Sequence, residues 1–185
     1  QIERLPTFLN ELRQTNGVIS VAVTEDLPGE QPSINALQVE NKQGSYEQMT
    51  VNTMDMGPEV SDTLGMQLLQ GRDFDINRSN DPRSTAIVNH SLVRQMGWTN
   101  PMGIRIQQFG ADENPVIESI GVVEDFHMRG LQQAITPLVI FYRPADFSEF
   151  TEAQRRSYSE LVSIQIDPSA TNSVLNDLQS QWSQF

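Results

Sequence analysis

Residues 116–144, VIESIGVVEDFHMRGLQQAITPLVIFYRP, constrain the fold most, because two apolar runs flank a polar segment. Residues 117–123 are rich in β-branched side chains and residues 138–142 are continuously apolar, so each run favours a strand. Pro137 lies directly before the second run and cannot donate to a strand ladder. The segment therefore predicts a strand, a corner at residues 125–127 and a second strand.

Helical spacing of apolar residues predicts further elements on both sides of this segment. The first predicted helix runs through Leu5, Leu9 and Leu12 and ends at Asn16-Gly17, and the second runs from Gly57-Pro58 through Val60, Leu64 and Leu68 to Gly71. Two short helices are predicted over 91–96 and 151–156. The last predicted helix begins at Thr171 and carries Val174, Leu178, Trp182 and Phe185 on one face. Alternating or β-branched runs predict strands over 18–24, 34–40, 48–54, 85–89, 104–109 and 161–166. Residues 72–135 have the turn content of a compact subdomain.

The composition limits the classes of protein to which the chain can belong. The 185 residues suffice for a core without disulfides, and no apolar run reaches the roughly 18 residues of a membrane span. The net charge of −12 repels a phosphate backbone, so nucleic acid is not an expected partner. The chain has no cysteine, which excludes thiolate chemistry.

Asp73, Asp75 and Asn77 have the spacing of the first ligands of a calcium loop. Arg78 stands where such a loop needs glycine, and Ser84 stands where it needs a bidentate glutamate. The sequence therefore predicts no metal here, and the acids are interpreted as turn and cap formers.

His90 and His127 are candidate general bases, and Asp125 lies two residues before the second. Residues i and i+2 of a strand share a face, so a contact between Asp125 and His127 is an open prediction. No nucleophile elbow or glycine-rich phosphate loop accompanies them in the sequence. A hydrogen bond to backbone or solvent is the favoured role for His127.

Short motifs follow one another along the chain: GRDF at 71–74, AIVN at 86–89, MGW at 96–98, NPMG at 100–103, IGVVEDFH at 120–127 and ITP at 135–137. Their order and spacing resemble the MacB-type extracytoplasmic core domain of FtsX-like ABC transporter permeases. The resemblance extends from Asn16-Gly17-Val18 to the helix that carries Leu178 and Trp182.

The resemblance implies an α+β fold, with a porter-like α/β subdomain from residues 1–71 and 136–185 and an inserted, turn-rich α+β subdomain from residues 72–135. It implies a periplasmic domain looped out between two transmembrane helices of a bacterial inner-membrane permease, and the apolar Trp182 and Phe185 near the chain end fit an excised fragment. The implied partners are a cytoplasmic ATP-binding subunit, a second permease copy, and a periplasmic adaptor or substrate. The expected domain is not an enzyme and has no catalytic residue, cofactor or metal.

Two alternatives from other classes stay open. One is a soluble periplasmic ligand-binding or sensor module that uses a crevice between the subdomains. The other is a small hydrolase that uses Asp125 and His127.

Overall fold

A computed structural model describes residues 5–25, 27, 31–75, 78, 84–108, 116–127, 134–143 and 161–184. The helices in these residues are α1 (Leu5–Gln14), α2 (Val60–Leu64), α3 (His90–Met96) and α4 (Thr171–Gln184). The strands are β1 (Val18–Thr24), β2 (Ser33–Glu40), β3 (Tyr46–Met56), β4 (Leu68–Gly71), β5 (Thr85–Asn89), β6 (Arg105–Gln108), β7 (Val116–Val123), β8 (Leu138–Tyr142) and β9 (Leu161–Ile166).

The strands form one mixed sheet. The pairs β3–β8 and β5–β7 are parallel, and the other pairs are antiparallel. Six strands close into a ring in the order β2, β6, β7, β5, β8, β3, because β3 pairs with β8 and also with β2. Strands β1 and β9 extend the sheet from β3, and β4 pairs with β7. The mixed sheet with few helices confirms the α+β prediction.

Strands β5 and β8 are buried on both faces, which explains their continuous apolar sequences. In β5, Ala86 and Val88 contribute to one core cluster, whereas Ile87 contributes to another. The first cluster joins the ring strands to α3 and the residues after it. Its buried members are Leu37, Val39, Val51, Ala86, Val88, Leu92, Val93, Trp98, Ile106, Ile117, Val122, Val139 and Phe141.

The apolar stripe of α1 packs on β1, as the helical spacing predicts. Its buried residues Leu5, Phe8, Leu9 and Leu12 form a third cluster with Val21 and Val23. Leu178 of α4 packs against the same cluster, so the two terminal helices share one patch of core.

The prediction for the second helix is wrong in its extent. Helix α2 ends at Leu64, because Gly65 adopts a left-handed conformation at φ 66° and caps the helix. Residues Leu68–Gly71 form β4 and pair with β7 instead of continuing the helix. Helical spacing of Val60, Leu64 and Leu68 was a weaker signal than the glycine.

Most other elements lie where the sequence predicts them. The segment 116–144 contains β7 and β8 on either side of the corner, and β2 and β3 form a hairpin across residues 41–45. The helix predicted over 151–156 lies outside the described residues. The division into two subdomains remains a prediction.

Candidate functional site

Asp125 forms its hydrogen bonds with residues of α3 rather than with His127. Its carboxylate accepts hydrogen bonds from the backbone N–H of Ser91 at 2.7 Å and from its hydroxyl at 2.8 Å, and Arg94 donates a third at 2.9 Å. Strand β7 ends at Val123, so the expected shared strand face does not exist at Asp125 and His127. Among the described residues, no hydrogen bond joins these two side chains, which removes the geometric basis for the hydrolase.

Among the described residues, the other candidate histidine, His90, also forms no hydrogen bond with this carboxylate. His90 is the first residue of α3 and is exposed. Asn89 before it accepts the capping hydrogen bond from the N–H of Leu92. The two histidines and Asp125 therefore form no cluster for general acid and base chemistry.

Asp73 caps a helix, as its interpretation as a cap former predicts. Its carboxylate accepts hydrogen bonds from the backbone N–H groups of Ser61 at 2.9 Å and Phe74 at 2.7 Å. Burial raises the pKa of this carboxyl above its ordinary value, while the two backbone donors act in the opposite direction.

The carboxylate of Asp75 forms an ion pair with Arg78 at 3.6 Å. Asn77 of the candidate calcium loop lies outside the described residues. Within the part of the chain that the structure describes, no three acidic or histidine side chains are grouped so as to hold a metal ion.

A pocket of about 330 Å³ lies where β3 and β8 separate. It is called the β3 pocket below. Its lining residues are Pro32, Ile34, Thr50, Val51, Asn52, Gln95, His127, Ala134, Ile135, Thr136 and Pro137. His127 thus lines a cavity with apolar and neutral polar neighbours, not a catalytic dyad.

The two terminal helices pack antiparallel. The rings of Phe8 and Trp182 are 5.6 Å apart in an edge-on arrangement, and the amide of Gln181 donates to the hydroxyl of Thr15 at 3.0 Å. At the other end of α4, Val174 lies close to Gly17. The beginning of α1 and the end of α4 therefore lie on the same side of the domain.

The face of α4 that carries Val174, Leu178 and Trp182 is buried only in part. Val174 is fully buried and Leu178 half-buried, whereas Trp182 is 65% exposed although it contacts Phe8. Phe185 lies outside the described residues.

Two ion pairs tie distant parts of the chain together. Buried Arg143, directly after β8, donates to Glu25 at 2.8 Å, directly after β1. Arg105 binds both carboxylate oxygens of Glu40 at 2.9 and 3.1 Å, and its hydrogen bonds lower the pKa of that carboxyl. The first pair connects the ends of β8 and β1, and the second connects β6 with β2.

No family model matches the chain, and the curated proteins give no significant match. Solved structures do match. The periplasmic region of MacB from Actinobacillus actinomycetemcomitans aligns over 95% of this chain and 72% of its own, with a TM-score of 0.60 and 17% identity. The chain has the fold of the MacB periplasmic region.

Two further solved structures share this MacB fold. A domain of a putative permease protein from Porphyromonas gingivalis covers 96% of this chain and 75% of its own, at a TM-score of 0.56 and 17% identity. The extracellular domain of the noncanonic ABC-type transporter YknZ from Gram-positive bacteria aligns over 91% of this chain and 76% of its own, with a TM-score of 0.52 and 16% identity. The fold predicted from the order of short motifs is confirmed. The second and third structures are domains of a putative permease protein and of an ABC-type transporter.

Sequence reasoning missed Asn89 and the β3 pocket. The signal for Asn89 was present, because asparagine directly before a helix is a preferred N-cap. The pocket had no such signal, because Gln95 and Ile34 are 61 residues apart in sequence and line the same pocket only in the folded chain.

Proposed function

We propose that the chain is the extracytoplasmic domain of an ABC transporter permease and passes motion of membrane helices into the periplasm. The domain itself carries out no catalysis. A separate cytoplasmic subunit hydrolyses ATP. The further partners of the domain are a second permease copy and a periplasmic adaptor or substrate.

The antiparallel packing of α1 and α4 carries this proposal. A domain inserted between two transmembrane helices needs both of its connections on one side, and the contact of Phe8 with Trp182 places the two helix ends together. The fold shared with domains of transporters and permeases over more than nine-tenths of the chain supports the same placement. In the described part of the chain, no helix has the length and apolarity to cross a bilayer.

A route for motion starts at α1. Its apolar stripe packs on Val21 and Val23 of β1, and β1 is hydrogen-bonded to β3 and β9. Strand β3 then joins β8 and β2 of the ring. Because packed cores move as units rather than deform continuously, a displacement of α1 against α4 shifts the sheet as a body.

The placement is tested by the side from which a single cysteine is labelled in a cysteine-free parent protein. Ser45→Cys lies in the exposed β2–β3 turn, and Ser119→Cys is a matched control at a buried serine that is 1% exposed. A membrane-impermeant maleimide should label Ser45→Cys in intact cells and leave Ser119→Cys unlabelled. Labelling of Ser45→Cys only after lysis contradicts the proposal.

The mechanical role is tested by linking the terminal helices. Thr15→Cys, directly after α1, with Gln181→Cys in α4 replaces a hydrogen-bonded pair, and a short bismaleimide can bridge the two thiols. Bridging should stop transport by the parent protein while each single variant retains it. Full transport by the bridged protein would show that α1 and α4 need not move apart.

A further inference from the structure

The ladder between β3 and β8 stops at a defined place. Its first pair is Asn52 with Leu138, and the N–H of Asn52 donates to the carbonyl of Pro137 at 3.1 Å. The next bond of a parallel ladder would run from the N–H of residue 137 to the carbonyl of Thr50. Proline has no N–H, so the ladder cannot continue, and Thr50 has no strand partner on this edge among the described residues.

The backbone of Thr50 faces this open edge. Residues two apart in a strand direct their N–H and C=O groups to the same side. Asn52 and Met56 bond toward the β8 side, since Arg143 donates to the carbonyl of Met56 at 2.8 Å. Thr50 therefore presents one donor and one acceptor next to the β3 pocket, whose lining includes Thr50.

The pocket beside this edge has a neutral lining. Among the described residues, its wall contains no carboxylate, ammonium or guanidinium group. Ile34, Ile135 and two prolines supply apolar surface. The side chains of Gln95 and His127 form no hydrogen bond with another described residue, so both amide and imidazole are available to a ligand.

We propose that the β3 pocket binds an extended peptide segment, which adds to the open edge of β3 at Thr50 and places a neutral apolar side chain between Ile34 and Ile135. A peptide backbone matches the donor and acceptor of a strand edge, which is the basis of binding by strand addition. A volume of about 330 Å³ is at the lower end of ligand pockets and suits one or two side chains. A charged side chain would lose hydration there and would meet no carboxylate, ammonium or guanidinium group among the described residues of the wall.

This inference does not depend on the transporter role. The proposed occupant is a free peptide in an extended conformation, whose backbone pairs with the open edge at Thr50. The cellular location tested with Ser45→Cys therefore succeeds or fails separately from binding at β3.

Binding is measured on the ¹⁵N-labelled chain with the blocked neutral pentapeptide acetyl-Ser-Val-Thr-Val-Ser-amide. The amide signals of Thr50 and Gln95 should shift with saturation, and hydrogen exchange of the Thr50 N–H should slow, because that group gains a partner. The same peptide with an N-methylated central threonine loses a backbone donor and should bind more weakly. An absence of saturable shifts at Thr50 and Gln95 overturns the proposal.

Two exposed isoleucines on strands give a matched pair of variants. Ile34, in the pocket wall, is 57% exposed and Ile19, on β1, is 60% exposed. Ile34→Asp should weaken peptide binding more than tenfold, and Ile19→Asp should leave it unchanged, while both variants melt as the wild type does. Equal affinities of the two variants overturn the assignment of the pocket.

Thr50→Pro removes the N–H on the open edge and should weaken binding about fivefold, since one net hydrogen bond contributes about 1 kcal/mol. Proline is tolerated at a strand edge whose N–H faces no ladder partner, so the variant should fold. Unchanged peptide affinity in a folded Thr50→Pro variant excludes strand addition at this edge. If this variant does not fold, the Ile34 and Ile19 pair decides the question alone.

Discussion

The Oδ1 atom of Asn89 accepts a hydrogen bond of 2.9 Å from the backbone N–H of Leu138, although the two residues are 49 apart in sequence. The same oxygen accepts from the N–H of Leu92 at 3.0 Å, and the Asn89 amide donates to the carbonyl of Thr136 at 3.0 Å. One side chain, 1% exposed, thus joins the end of β5, the first turn of α3 and the start of β8.

Asn89→Ala should lower the free energy of unfolding by about 3 kcal/mol, because two buried N–H groups and one carbonyl lose their partner at once. Urea denaturation measures the change. Asn100→Ala is the control, because Asn100 is exposed and accepts a single hydrogen bond of 3.3 Å, from Met102. A loss for Asn89→Ala as small as that of the control would show that water replaces the three bonds.

Gly17→Ala should separate α4 from the start of β1. Gly17 has a φ of 93°, and an added Cβ would lie 2.5 Å from the Cβ of Ala170 and 2.9 Å from Val174. Gly103→Ala is a matched control, since Gly103 has a φ of 74° and nothing within 4 Å of an added Cβ. We expect about 1 kcal/mol of lost stability for Gly103→Ala from backbone strain alone, and at least twice that for Gly17→Ala. Equal melting temperatures for the two variants would contradict the close packing of α4 at Gly17.

The stability difference between the wild type and Asp73→Asn should depend on pH. The pKa of the Asp73 carboxyl is raised in the folded state, so between its ordinary value of 3.8 and the folded value the folded chain binds more protons than the unfolded chain. This group therefore contributes most below pH 3.8, and its contribution falls as pH rises through the folded pKa. Urea titrations at several pH values should show the wild type losing stability relative to Asp73→Asn with rising pH. The opposite trend would show that the two backbone donors outweigh burial.

Asp125→Ala should destabilise the fold, and His127→Ala should not. Removal of the carboxylate leaves the N–H and hydroxyl of Ser91 without their partner, a loss of about 1–2 kcal/mol. His127 is exposed and makes no hydrogen bond with another described residue, so its removal should change stability by less than about 0.5 kcal/mol. Thermal unfolding of both variants measures the difference. Similar losses would indicate that the two side chains act together, as a dyad would.

Strands whose signal is contained in a few consecutive residues were predictable. The β-branched and apolar runs of β1, β5 and β9 have the predicted limits 18–24, 85–89 and 161–166. The extent of α2 was not predictable from spacing, because Leu68 fits a helical stripe and a strand equally well and its pairing with Val123 of β7 decides between them.

The candidate site was likewise predictable only in part from the sequence. The sequence identified Asp125 and His127 as candidate residues and left a contact between them open. In the folded chain, Asp125 accepts hydrogen bonds from Ser91 and Arg94, whereas His127 lies in the wall of the β3 pocket. Proximity in sequence was misleading here because the chain leaves β7 at Val123 and changes direction.

By itself the sequence determined the α+β class, most strand positions and the absence of thiol chemistry, because these depend on composition and on patterns a few residues long. Its order of short motifs also indicated the fold that solved structures of transporter and permease domains confirm. Only the tertiary structure decided the six-stranded ring, the antiparallel terminal helices and the open edge at Thr50. Each of these depends on hydrogen bonds and packing between residues far apart in the chain, and those contacts have no signature in the local sequence.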